Sequence, residues 1–333
     1  MKTKIIATLG PASEDEKIIL KLRQKGASIF RLNLSHGQKT WHENIIKIIR
    51  KYTDASIMLD TKGPEIRTGE ISEVKLKKGD TALIIPSGKP DHPQFKNSFK
   101  VTYQQITQVL NLGSIIAIDA GRVLLKTEKI TKQGVFAQVV QGGLVTSGRH
   151  VNLPGTKIDL PILTKKDQEM LSLVKKYQIE YLAVSFVRNK TDLQVLKQQL
   201  QDQEIKHTQI ISKIENAAAL KNITAILDNS DAIMVARGDL GVETPWYQVP
   251  IQEEQLIKNA HLKNKPVIVA TQMLSSMLQN SIPSRADVMD IAIAVQMGAQ
   301  MTMLSDETAA GKFPVEAVQA MKQVVEYAEK NKF

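Results

Sequence analysis

Short runs of apolar, often β-branched residues recur along the chain, and amphipathic helical patterns follow them. Consecutive apolar positions are typical of strands buried on both faces. Strands that alternate with helices in this way favour a parallel sheet. The runs are Lys4–Thr8, Ser28–Leu34, Ser56–Asp60, Tyr181–Phe186, Gln209–Ile214, Ala232–Ala236, Pro266–Thr271 and Met301–Ser305. Eight such strand–helix units predict an α/β fold of the (β/α)8 TIM-barrel type.

Start and stop signals predict helices between these strands. Ser13 with Glu16, and Thr164 with Asp167, have the spacing of a capping box. A glycine at position 26 is expected to end the first helix. Pro314 is expected in the first turn of the last helix, where its missing N–H costs nothing.

The third and fourth runs are separated by a far longer stretch than any other pair. Within it, TALIIP, KVTYQQI, SIIAIDAG, VLLKTEKI and VFAQVV read as short strands separated by turn residues. We therefore expect a small all-β lid domain, residues 70–152, with the form of a compact β-barrel, inserted after strand 3. Residues 1–69 and 153–333 would then form the discontinuous barrel. An open doubly wound sheet is the alternative, but no Gly-rich phosphate loop follows any strand.

Composition narrows the function classes. The 333-residue chain contains no cysteine, which excludes disulfides and thiolate metal sites. Its net charge of +10 fits either nucleic acid or polyanionic small molecules. The basic residues are scattered and aromatic residues make up 5%, which disfavours nucleic acid. We find no secretion signal and no apolar stretch long enough to span a membrane, so a cytoplasmic location is expected.

Polar residues stand where the predicted strands end, and TIM-barrel active sites lie at that face. Lys213 and Glu215 alternate with Ile214 and should point to one side of their strand. Asp239 follows Gly238, and two carboxylates from neighbouring strands can hold Mg²⁺. The backbone N–H groups of Gly238 and Asp239 would suit a carboxylate or phosphate.

Further strand-end residues suit anions and a monovalent cation. Arg31 and Arg67 offer fixed positive charge for phosphate. Hard oxygen ligands for a monovalent cation come from Asn33, Ser35, Asp60 and Thr61. Structural explanations stay open for all of these, because rim charges form ion pairs and hydroxyls or carboxylates cap helices. The same ambiguity applies to a group that could be loop or capping residues, namely His36, Thr271 and Ser305.

At these residues the chain resembles the pyruvate kinase family. The blocks that match, in family order, are KIIATLGPAS, FRLNLSHG, LDTKGPEIRTG, VNLPG, VSFVR, ISKIEN, MVARGDLGVE, KPVIVATQML, PSRADVMD and MLSDETAAGKFPVEAV. The resemblance implies a (β/α)8 barrel with a β domain inserted after strand 3. It also implies transfer of a phosphoryl group from phosphoenolpyruvate to ADP, giving pyruvate and ATP.

Carried over position by position, the resemblance implies catalytic and substrate-binding roles. Lys213 would stabilise charge on the transferring phosphoryl group and on the enolate, and Arg31 would contact phosphate. Thr271, with Ser305 and a water, would help to protonate the enolate. The amides of Gly238 and Asp239 would bind the substrate carboxylate. Such a division of labour suits phosphoryl transfer, in which positioning and electrostatics dominate.

The resemblance also implies cofactor and nucleotide sites. Glu215 and Asp239 would hold Mg²⁺ or Mn²⁺. K⁺ activation is expected, since an acid at Glu65 accompanies K⁺ dependence in the family. The implied K⁺ ligands are Asn33, Ser35, Asp60 and Thr61. The implied nucleotide-binding residues are Asn33, His36 and Arg67, so Asn33 belongs to both sets.

Departures from the family pattern keep other functions open. Ala120 replaces an acid that faces the nucleotide, and Asp306 adds a negative charge that would weaken anion binding. The chain ends at Phe333, so we expect no C-terminal regulatory domain and no sugar-phosphate control within it. The alternatives are a non-catalytic paralogue that binds a metabolite or partner, and a metal-dependent carbon–carbon lyase. Homo-oligomerisation is left open.

Overall fold

The computed structural model describes residues 2–92 and 94–331. They divide into two compact units. The first unit runs to Gly63 and resumes at Pro161–Arg237 and from Val249 onward. The second consists of Pro64–Leu160 and Gly238–Gln248. The predicted division at residues 70 and 152 stays a prediction.

The strands and helices alternate over most of the chain. In chain order the strands are β1 (Lys4–Thr8), β2 (Ala27–Asn33), β3 (Ser56–Asp60), β4 (Val74–Leu76), β5 (Thr81–Pro86), β6 (Ser98–Val101), β7 (Ile115–Ile118), β8 (Val123–Ile130), β9 (Val135–Gln141), β10 (Gly143–Val145), β11 (Val151–Asn152), β12 (Tyr181–Val184), β13 (Gln209–Ile214), β14 (Ala232–Ala236), β15 (Val267–Ala270) and β16 (Met301–Leu304). The helices are α1 (Glu16–Lys25), α2 (Lys39–Tyr52), α3 (Ile106–Val109), α4 (Lys165–Tyr177), α5 (Lys190–Asp202), α6 (Ala217–Lys221), α7 (Ile223–Asn229), α8 (Arg237–Glu243), α9 (Val249–Leu262), α10 (Arg285–Gln296), α11 (Asp306–Ala309) and α12 (Pro314–Lys330).

Eight parallel strands close the first unit into a barrel, in the order β1-β16-β15-β14-β13-β12-β3-β2. The predicted (β/α)8 fold is therefore confirmed. Apolar side chains fill the barrel interior, among them Ile6, Met58, Ile211 and Met303. Burial on both faces explains why the strands read as continuous apolar runs. The fourth barrel strand ends before the predicted Phe186, whose φ of 57° takes the chain into a turn.

The helix signals are mostly confirmed, with one error. The Thr164 side chain and Asp167 form the predicted capping box of α4. Gly26 ends α1 with φ 126°, a conformation that glycine adopts readily. The capping box predicted at Ser13 is wrong, because Asp15 caps α1 by accepting from the Lys17 N–H at 2.9 Å. The Ser13 hydroxyl instead accepts from the backbone of Gly10.

The second unit is built from β-sheet around its own apolar core. Strands β11-β7-β8-β9-β5-β6 form one sheet, and β10 pairs with β4. The segment 66–69 bonds to both edges of the larger sheet: the Val151 N–H donates to the Ile66 carbonyl, and the Gly69 N–H to the Lys100 carbonyl, each at 2.8 Å. The predicted strand KVTYQQI is only partly correct: Lys100 and Val101 lie in β6, but the strand ends at Val101 and the short helix α3 begins at Ile106.

Within residues 2–92 and 94–331, no helix is both long and apolar enough to cross a membrane.

Candidate active site

A buried lysine lies at the centre of a polar network at the carboxyl end of the barrel. Lys213 and Glu215 follow one another around Ile214 at the end of β13, and both are buried. The Lys213 Nζ lies 2.8 Å from the Glu215 Oε1 and 3.1 Å from the Asp60 Oδ1. The predicted meeting of a cation and a carboxylate on one side of this strand is thus present.

Asp60, at the end of β3, joins this lysine to a buried arginine. Its Oδ2 accepts from the Arg31 Nε at 2.6 Å, and the Arg31 Nη1 donates to the Thr8 Oγ1 at 3.0 Å. Burial alone would raise the pKa of the Asp60 carboxyl, but Lys213 and Arg31 outweigh it and hold that pKa below its ordinary value. Asp60 is therefore an anion that balances two cations in a site with almost no exposure.

Ser185 is a member of the network that sequence reasoning did not single out. Its hydroxyl accepts from the Lys213 Nζ at 2.8 Å and donates to the Thr61 carbonyl at 2.7 Å. The next residue, Phe186, donates its N–H to the Glu215 Oε2 at 2.6 Å. A hydroxyl directly after the apolar run of β12 was the available signal. Ser185 thus fixes both the lysine and the loop after β3.

The four predicted K⁺ ligands lie on the ends of adjacent strands. Asn33 on β2 pairs in register with Asp60 on β3. The Asn33 Oδ1 accepts from the Ser35 N–H at 3.0 Å, and the Thr61 Oγ1 accepts from the Ser185 N–H at 3.0 Å. Every ligand offers neutral or anionic oxygen, which is the donor chemistry that K⁺ takes. His36 follows them and is exposed.

Thr271 follows β15 in a conformation unusual for a residue with a branched side chain. Its φ is 68°, in the left-handed region that threonine rarely adopts. The Arg237 Nη2 donates to its carbonyl at 2.6 Å. Asp290 and Glu253 pair with the same guanidinium, and their attraction outweighs burial and raises the pKa of Arg237. This ion network holds Thr271 in a strained position, a feature that recurs at functional sites.

Ser305 follows β16 and its side-chain oxygen makes no hydrogen bond within the described part of the chain. Its hydroxyl oxygen is buried. Its backbone N–H is bonded to the Glu307 Oε2 at 2.8 Å. A buried hydroxyl of this kind is suited to a water or substrate group. The neighbouring Asp306 is exposed.

The remaining predicted residues belong to the second unit. Glu65 accepts from the Arg67 Nε at 2.8 Å, and the Arg67 Nη1 donates to the Gly148 carbonyl at 2.6 Å. Gly238 and Asp239 are the second and third residues of α8. The Asp239 Oδ1 lies 4.0 Å from the His150 Nδ1. Asp239 and Glu215, the predicted metal pair, thus belong to different units.

The loop between β7 and β8 carries the first departure from the family pattern. Asp119 and Ala120 both have φ of 55°. Asp119 pairs with Arg122 at 3.2 Å and with Arg149 at 3.4 Å. Left-handed backbone is less costly for aspartate than for alanine, so Ala120 occupies a position that an acid would fit.

This arrangement can stabilise negative charge that develops on a bound group. A buried ammonium and a buried guanidinium lie at the carboxyl end of the barrel, each oriented by carboxylate and hydroxyl groups. Among the residues described, no three or more His, Cys, Asp or Glu side chains are grouped to hold a metal. A closed (β/α)8 barrel with such a network at its carboxyl end has the organisation of a TIM-barrel enzyme.

Comparisons with known proteins give the family. The model of the pyruvate kinase barrel domain matches residues 1–318. The chain is 40% identical to a pyruvate kinase of Geobacillus stearothermophilus over 97% of its length, and 39% identical to one of Staphylococcus aureus over 98%. A crystal structure of a pyruvate kinase from Cryptosporidium parvum superposes with a TM-score of 0.92 at 35% identity, covering 99% of this chain and 69% of the other. The chain belongs to the pyruvate kinase family.

The match covers only part of the length of these relatives. The chain spans 56% of the G. stearothermophilus protein and 57% of the S. aureus protein. The activity of those whole proteins is therefore carried to this chain only as a proposal.

Proposed function

We propose that this chain transfers a phosphoryl group from phosphoenolpyruvate to ADP, giving pyruvate and ATP. The observation that carries the proposal is the buried Lys213 ammonium, held between Glu215, Asp60 and Ser185 at the carboxyl end of the barrel. Such a cation is poised where negative charge grows during phosphoryl transfer. Phosphoenolpyruvate and ADP are the proposed small-molecule partners, and the family's place in glycolysis supports a cytoplasmic setting.

The residues of the barrel would share the work of positioning and charge stabilisation. Lys213 would face the transferring phosphoryl group and the enolate oxygen, and Arg31 would neutralise phosphate charge. Thr271, kept in place through its backbone by Arg237, would stand on the other side of the substrate. Ser305 would hold a water with its free hydroxyl and so help proton delivery to the enolate carbon.

A divalent metal fits the chemistry of the proposed ligands. Glu215 and Asp239 offer carboxylate oxygens, which Mg²⁺ and Mn²⁺ prefer, and few protein ligands are needed when substrate phosphates and waters complete the shell. Bound there, the metal would neutralise charge on phosphoryl oxygens. The amides of Gly238 and Asp239 would bind the substrate carboxylate.

A monovalent cation fits the oxygen set at the ends of β2 and β3. We propose K⁺ at the ligands Asn33, Ser35, Asp60 and Thr61, with Glu65 as the acid that makes the enzyme K⁺-dependent. The proposed nucleotide-binding residues are Arg67, His36 and Asn33, which would contact the nucleotide phosphates. These assignments rest on position in the family pattern and on donor chemistry.

The test is pyruvate formation from phosphoenolpyruvate and ADP with Mg²⁺, with and without K⁺. Turnover that needs ADP and rises with K⁺ supports the proposal. Pyruvate formed without nucleotide would instead indicate a lyase. No turnover by protein shown to be folded would favour a non-catalytic paralogue, an alternative supported by Ala120 in the loop after β7 and by the exposed Asp306.

A further inference from the structure

Asp167 makes more contacts than a helix cap requires. It is the third residue of α4 and fully buried. One oxygen, Oδ2, accepts from the Thr164 N–H at 2.9 Å and hydroxyl at 2.6 Å, which completes the capping box. The same carboxylate also accepts from two backbone N–H groups of the loop after β3, Lys62 at 2.7 Å and Gly63 at 3.1 Å. The first turn of α4 therefore holds that loop directly.

The held loop begins directly after β3, and two of the proposed cation ligands lie at this junction, Asp60 as the last residue of β3 and Thr61 as the next. Lys62 and Gly63 follow directly after Asp60 and Thr61. Gly63 has φ 68°, and a Cβ there would lie 2.8 Å from the Ser185 Cβ. The chain must turn sharply and pack closely at this point, which only glycine allows. Asp167 fixes the turn through the two N–H groups that emerge from it.

The same helix turn reaches the loop after β2, and the other two ligands lie where that loop begins, Asn33 as the last residue of β2 and Ser35 just beyond it. The Lys166 Nζ donates to the Gly37 carbonyl at 3.1 Å, just after Asn33 and Ser35. The loop is also fixed from its other side, since the His42 Nε2 lies 2.9 Å from the His36 carbonyl. Adjacent residues of α4 thus hold both loops.

We propose that Asp167 is a positioning residue for the monovalent-cation site, and that Lys166 assists it. The inference rests on the K⁺ site of the proposed function. A cation held by several oxygens binds only as tightly as the spacing of those oxygens allows, and residues that orient ligands typically contribute 10–100-fold to affinity. By holding the loops after β2 and β3 on one rigid helix turn, Asp167 and Lys166 set that spacing.

The first test is Asp167→Asn, read out as the K⁺-dependent rise in melting temperature without substrates. Sodium and choline at equal ionic strength serve as reference salts. The amide keeps one acceptor but puts an NH₂ group against a backbone N–H, so one loop contact is lost. We expect the K⁺ concentration needed for half of the stabilisation to rise about tenfold, equivalent to about 1.4 kcal/mol.

A matched control separates this effect from loss of a cap. Asp287 occupies the same capping-box position in α10, with Ser284 as its partner. Its side chain accepts hydrogen bonds from Ser284 and Ser276, which lie outside both loops. Asp287→Asn should lower the melting temperature without moving the K⁺ titration. An equal K⁺ titration for Asp167→Asn and wild type would overturn the positioning role.

Lys166→Met distinguishes positioning from simple charge, and its partial exposure makes it compatible with folding. Removing a positive charge would by itself tighten cation binding, whereas losing the Gly37 contact would weaken it. Weaker K⁺ binding in both Lys166→Met and Asp167→Asn, with the exposed Lys165→Met unchanged, supports the proposal. If K⁺ binds more tightly to Lys166→Met and more weakly to Asp167→Asn, charge alone explains both results and the positioning role is overturned. A wild-type protein that K⁺ does not stabilise would instead show that the cation site itself is wrong.

Discussion

Replacement of Lys213 by methionine removes one charge and keeps the length of the side chain. The lost ammonium leaves the Glu215 and Asp60 carboxylates buried, with only the Arg31 guanidinium still paired to Asp60. Removing one partner from a buried ion pair costs about 3–5 kcal/mol. At about 2–4 °C per kcal/mol for a unit of this size, the melting temperature should fall by roughly 6 °C or more.

The loss of stability should depend on pH in a defined direction. In the wild type the pKa of Asp60 is held below its ordinary value by Lys213 and Arg31, despite burial. That contribution is present above the unfolded pKa of about 3.9 and is lost only as the pH falls below it. Without Lys213, the Asp60 carboxyl keeps its burial and only Arg31 counters it, so its folded pKa is higher than in the wild type. Protonation of Asp60 then removes the unbalanced buried charge of the variant as the pH falls. The gap in melting temperature between wild type and variant should therefore narrow as the pH falls from 8 to 5.

The assay combines thermal unfolding across this pH range with coupled measurement of pyruvate formation. Loss of an electrostatic stabiliser of this kind typically lowers kcat about 10²–10³-fold. Lys221→Met, at the exposed end of α6, is the matched control and should change neither quantity. Turnover within tenfold of wild type would refute the role of Lys213. A gap in melting temperature that stays constant between pH 5 and 8 would refute the electrostatic account.

Three further predictions concern single sites. Glu65→Lys should remove the dependence on K⁺, because the new ammonium supplies the missing charge; a K⁺ titration of turnover that matches the wild type would contradict this. Ala120→Asp should lower the KM for ADP and not destabilise the loop, since its φ of 55° suits aspartate; an unchanged ADP saturation curve would mean that the departure is harmless. Burial lowers the pKa of His42 below 6.5, so the stability that neutral His42 contributes above pH 6.5 is lost as the pH falls. In His42→Gln the melting temperature should therefore change less between about pH 6.5 and 5 than in the wild type. Equal pH dependence of the melting temperature in the two proteins would exclude His42 as the cause.

Periodicity alone predicted the barrel because each barrel strand is buried on both faces and must be apolar at consecutive positions. Strand ends were less predictable. The run Tyr181–Phe186 contains no breaker, yet its strand ends at Val184 because Ser185 and Phe186 turn to bond Thr61 and Glu215. The error in the second half of KVTYQQI has a different origin, because short apolar patterns do not distinguish a strand from a helical turn.

The sequence by itself determined the types of residue at the barrel's carboxyl end and their order along the chain. Alternation around Ile214 was enough to place Lys213 and Glu215 on one side of β13, because side chains in a strand alternate. Only the tertiary structure showed that Lys213 also meets Asp60 and Ser185, residues far apart in the chain. It likewise showed that the carboxylate of Asp167 holds a distant loop. Such pairings depend on which strand ends close the barrel side by side, and that is decided by packing of the whole unit and not by any local pattern.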